Sequence, residues 1–121
     1  MTGFDEWATF QKWHNSDGKL LFTLTRDLMY RDEAGDVHVV RKGSNPSDLG
    51  SIPKPFNLIL PRYEYPSSYF LHDNDCENPE VSRLEGDNRL RESLHHSNAP
   101  NWKIWLVYKG VRSYATVRGL K

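Results

Sequence analysis

His72, Asp73 and Asp75 fall within four positions of "YFLHDNDC", and a further carboxylate, Asp87, stands inside the regular pattern "VSRLEGDNRLRESL". An imidazole and two carboxylates from His72, Asp73 and Asp87 would suit a divalent cation with open positions, which could activate water. The same three groups could form a metal-free base, with an Asp orienting the His. Cys76 places a thiol one helical turn beyond His72, but no oxyanion donor accompanies it. Each group also has a plainer role. A His-Asp doublet at a helix end often caps or packs, and Asp87 has Arg91 at i+4 as a pairing partner.

These residues need helices to position them. Pro66 and the following serines start one, and "YFLHDNDC" then puts Tyr69, His72, Asp73 and Cys76 on one side by i, i+3, i+4, i+7 spacing. "ENPE" ends it. Ser82 with Glu85 three residues later forms a capping box for a second helix running to about His95. Leu90 and Leu94 define its buried stripe, and Asp87 points the same way. A carboxylate on such a stripe is costly unless it is paired or bound. His95 and His96 suit the negative end of that helix. "SNAP" caps a third helix to about Val117, with Trp102, Trp105, Leu106 and Tyr108 as its apolar set.

The first half reads differently. Residues 3–14, "GFDEWATFQKWH", space Phe4, Trp7 and Phe10 by three, with Trp13 following, which fits a short amphipathic helix over 1–14. Residues 19–42 read as a β-hairpin turning at "DEAGD", with His38 facing solvent between valines. Residues 43–65 carry too many prolines for a helix and are too apolar for disorder, so a long packed loop is expected. The expected fold is α+β: a β-hairpin and packed loop against about three helices over 66–117, with an extra N-terminal helix, in one domain of 1–121.

Composition narrows the partners. Sixteen Lys+Arg balance sixteen Asp+Glu, which argues against bulk nucleic acid as a partner. A local basic patch is still available, since residues 103–121 hold five Lys or Arg and no acid. Trp7, Trp13, Trp102 and Trp105 are candidate core anchors. The single cysteine makes no internal disulfide, and no leader or membrane span is evident, so a cytoplasmic protein is expected. There is no Gly-rich phosphate loop, paired CxxC or HExxH.

The succession "TLTRDLMYRDEAGDVHVVRKG", "SDLGSIP", "YFLHDNDCEN", "VSRLEGDNRLRESL" and "WLVYKGVRSYATVRG" resembles a small uncharacterised family common in bacteriophage and prophage genomes, domain of unknown function 1353. The resemblance runs from about Leu20 to Arg112. It maps onto Asp48, Ser51, Ile52, Pro53, His72, Asp73, Ser82, Arg83, Asp87, Tyr108 and Arg112. It implies phage origin and a shared polar centre, to which the loop residues Asp48 and Ser51 would contribute. It supplies no reaction. Two functions follow as expectations. One is a small phage-encoded hydrolase, metal-dependent through His72, Asp73 and Asp87. The other is a non-enzymatic accessory protein that binds a host or virion protein through the Trp7/Trp13 helix or the basic C-terminal segment.

Overall fold

In the computed structural model, residues 2–6, 8–18, 20–43 and 65–120 are described. The expected packed loop, with Asp48 and Ser51, lies outside them, as does Trp7. Among the described residues five strands precede three helices, an α+β arrangement: β1 Gly3–Phe4, β2 Phe10–His14, β3 Leu20–Leu24, β4 Leu28–Arg31, β5 Val37–Val40, α1 Pro66–Glu77, α2 Arg83–His96 and α3 Asn101–Val117. The strands form two antiparallel sheets, one ordered β1-β4-β5 and one pairing β2 with β3.

The expected N-terminal helix is not formed; that segment is β1 and β2. Three-residue spacing of aromatics imitates a helical stripe, but tertiary partners decide the matter. Phe10 sits opposite Leu24 across the β2–β3 pair. Its ring meets Phe22 edge-on at 5.6 Å and Phe70 of α1 at 5.8 Å. The "NSDG" that follows is the turn between β2 and β3. Asn15 Oδ1 accepts from the Asp17 amide, and Gly18 takes a φ of 80°.

The segment read as one strand from 19 to 31 is broken at Thr25–Asp27, so β3 pairs with β2 while β4 pairs with β5. The turn between β4 and β5 lies where "DEAGD" places it. Asp36 donates its amide to the Asp32 carboxylate at 2.8 Å, and Gly35 has a φ of 93°. His38 is half-buried rather than solvent-facing. Its Nε2 lies 2.7 Å from Asp32 Oδ2, and its ring stacks near Tyr30 at 6.4 Å.

The core is built by Phe22, Leu24, Leu28, Tyr30 and Val40 from the strands, against Tyr69, Phe70 and Leu71 of α1 and Leu90 and Leu94 of α2. The tryptophans expected to anchor it do not: Trp13, Trp102 and Trp105 are 39%, 52% and 59% exposed. On α3 the buried residues are Ile104, Val107 and Ala115 instead. Ser68 and Ser93, both fully buried, satisfy one another at 2.9 Å where α1 and α2 cross.

The α1–α2 crossing is close at one further place. A Cβ added to Gly86 would sit 3.2 Å from the Asp75 Cβ, whereas one added to Gly110 of α3 meets nothing within 4 Å. Gly→Ala in a helix interior ordinarily gains about 1 kcal/mol. Gly110→Ala is therefore expected to raise the urea midpoint, and Gly86→Ala to leave it unchanged or lower it. Equal gains from both would contradict the close approach.

Candidate functional site

Asp87 is the residue on which the three helices converge. It is 0% exposed. Its Oδ1 accepts from His72 Nε2 of α1 at 2.7 Å and from Arg83 Nε, one turn earlier on α2, at 3.2 Å. Its Oδ2 accepts from Arg112 Nη1 of α3 at 2.8 Å. One carboxylate thus serves cationic donors on all three helices of the described residues. The expected pair with Arg91 is not made; the Arg91 guanidinium lies over the Tyr108 ring at 4.4 Å. Position i−4, Arg83, takes the role expected of i+4.

Local sequence explains the placement. Ser82 caps α2 by accepting the Glu85 amide at 3.1 Å, which sets the helical phase carrying Asp87 inward with Leu90 and Leu94. In α1, Leu71 and His72 are both buried. Asp75 lies i+4 from one and i+3 from the other, so it is buried too, at 4% exposure. Its Oδ1 lies 2.8 Å from Arg89 Nη1 of α2, while its Oδ2 has no hydrogen-bond partner among the described residues. Asp75 and its partner Arg89 were not assigned a role from the sequence, although the spacing from Leu71 and His72 carries the signal.

The electrostatics follow from this packing. Burial of His72, which is 7% exposed, opposes its protonation. The hydrogen bond to Asp87 and the adjacent Cys76 outweigh burial and push the imidazole up to about 9. Burial likewise opposes charge on Asp87, but His72, Arg112 and Arg83 hold its carboxyl below the usual range. The centre is therefore an imidazolium and two guanidiniums around one carboxylate. At Asp75 burial prevails and raises the carboxyl despite Arg89.

Of the residues singled out from the sequence, His72 and Asp87 are brought into contact. Asp73 is half-buried on the next position of α1. Asp48 and Ser51 lie outside the described residues. Cys76 is exposed, with Sγ 3.7 Å from His72 Nε2 and 4.0 Å from Nδ1. Among the described residues, no group of three or more His, Cys, Asp or Glu is arranged to hold a metal ion. Tyr108 and Arg112, mapped by the resemblance, both reach α2. Tyr108 donates to Asn88 Oδ1 at 2.7 Å, and Arg112 reaches Asp87. No helix of the described residues is long and apolar enough to cross a membrane.

The raised imidazole fixes the sign of a pH dependence. His72 is protonated more readily folded than unfolded, so its contribution is fully present below about 6.5 and is lost as pH rises through about 9. The urea midpoint is expected to fall between those values, and His72→Gln to flatten that limb. An unchanged midpoint across this window would mean that the imidazole carries no charge.

No curated protein and no solved structure matches the chain. A family model does, over residues 22–111, and this agrees closely with the segments that carry the resemblance. Since that match takes in most of the chain, including the β4–β5 hairpin, His72, Asp87 and α3 as far as Val111, the protein belongs to the family described as protein of unknown function (DUF1353).

Proposed function

We propose that this chain is a non-enzymatic binding module, with a structural His72–Asp87 centre and a working surface on the outer side of α3. The observation that carries this reading is the state of Asp87. It is wholly buried, and both its oxygens are taken by three cationic donors. A general base needs a neutral nitrogen facing a substrate, with a pKa near the working pH. His72 Nε2 is committed to Asp87, and the ring is charged at neutral pH. A divalent cation bound at Asp87 would have to displace two guanidiniums or sit beside them. The surface of α3, in contrast, presents Trp102 and Trp105 with Lys103 and Lys109 alongside their rings. With the N-terminal segment forming strands, the basic C-terminal segment is the better supported of the two surfaces expected from the sequence. A phage origin rests on the family resemblance alone.

One observation favours a hydrolase instead. The exposed Cys76 thiol, His72 and Asp87 lie in succession, as nucleophile, base and orienting acid would. In such a set the ring bridges its partners through opposite nitrogens. Here the thiol is nearer the nitrogen that Asp87 already holds.

Asp87→Asn separates the readings. As a structural centre, its loss leaves the buried His72 and the half-buried Arg83 and Arg112 without their shared carboxylate and should cost about 3 kcal/mol or more in urea unfolding. The wild type should carry no stoichiometric metal after incubation with zinc, calcium, magnesium or manganese and dialysis. Near-stoichiometric metal that disappears in Asp87→Asn, with stability unchanged or raised, would replace this reading with the metal-dependent hydrolase.

A further inference from the structure

Beside α3 runs a groove of about 520 Å³, shared with α2. Asn88 and Arg91 line it from α2, and Asn101, Ile104, Trp105 and Tyr108 line it from α3. We infer that this groove and the adjoining face of α3 bind single-stranded nucleic acid, with one base stacked against Trp105 and the backbone following Lys109 and Arg91. The inference rests on the reading of the chain as a binding module and names its partner.

Three features point to this ligand. The first is flat aromatic surface held open to solvent. Trp102 and Trp105 are more than half exposed and stand three residues apart on one helix, roughly 4.5 Å apart along its axis. Two such rings offer platforms to successive bases that have left their own stack. A duplex hides those base faces, so it is the poorer ligand. The second is the charge beside each ring. Lys103 lies 5.4 Å from the Trp102 ring, Lys109 lies 5.8 Å from that of Trp105, and Arg91 lies 4.4 Å from that of Tyr108. No carboxylate occurs from Asn101 to Lys121. The third is the groove's own polarity. The Asn101 amide can donate and accept at a base edge and the Asn88 amino group can donate, its Oδ1 accepting from Tyr108, while the groove's one aliphatic side chain, Ile104, is a poor pocket for the apolar anchor of a peptide.

Glu33 and Glu92 also border the groove and keep it from being strongly basic. Glu33 lies 3.1 Å from His96 Nε2, and Glu92 accepts from the Tyr30 hydroxyl and the Glu33 amide. The balanced charge of the whole chain agrees with a mode in which stacking outweighs phosphate contacts. The salt dependence should therefore be shallow, with a log–log slope between about −1 and −3.

The test is fluorescence anisotropy of a labelled single strand of about 12 nucleotides, as DNA and as RNA, titrated with the full chain. Saturable binding with quenching of tryptophan emission is expected. Trp105→Ala should weaken it about tenfold and Lys109→Glu several-fold, whereas Lys12→Glu on β2 should change nothing. The matching duplex should bind at least about tenfold more weakly. Absence of saturable binding, or binding indifferent to Trp105→Ala and Lys109→Glu, overturns the inference. Binding of an acidic peptide but not of the oligonucleotide, lost in the same variants, also overturns it, yet leaves the binding-module reading standing. Cleavage of the oligonucleotide that His72→Gln abolishes would instead bring down the binding-module reading itself.

Discussion

A carboxylate with no access to water is tolerable only while cations hold it, and Asp87 is held from three helices. The helical half of the molecule is arranged around that requirement. The cap at Ser82 turns Asp87 inward, α1 brings His72 to one oxygen, and α3 lays Arg112 on the other. Hydrophobic contact among Phe70, Leu71, Leu90, Leu94, Ile104 and Val107 supplies the bulk of the burial. That contact is tolerant of sliding. The charged centre is not, because its bonds are directional and the fully buried Asp87 cannot find water.

The helices were legible in the sequence because their signals are local. Pro66 at a first turn, Ser82 with Glu85, and "SNAP" before α3 are each contained within a few residues. The N-terminal segment was misread because its decisive partners are remote. Phe10 becomes a strand residue through Leu24, Phe22 and Phe70, none of which its own spacing reveals. The tryptophans were misplaced for a related reason. Residue type predicts burial only on average, and the α3 phase that buries Ile104 and Val107 turns Trp102 and Trp105 outward.

The candidate site divides in the same way. Asp87 could be recognised because a carboxylate interrupts an apolar stripe. Its partners could not be chosen among the arginines, since i−4 and i+4 are equivalent on a helix and only the position of Tyr108 settles where Arg91 goes. Asp75 was within reach of the same periodicity that located His72, but Arg89 as its partner needed the crossing of α1 over α2. Chemistry-bearing residues therefore announced themselves by type and phase, and their pairing was a tertiary fact.

His72, Arg83 and Arg112 depend on Asp87 in a further sense. Replacing Asp87 leaves three donors without their shared carboxylate, so that position cannot change while they stay. The outer face of α3 carries no such debt. Trp102, Trp105 and Lys109 touch little of the core and can be exchanged one at a time. A lineage built on this fold can thus change what it recognises by small steps, while Asp87 beneath that surface stays fixed for as long as its partners are kept.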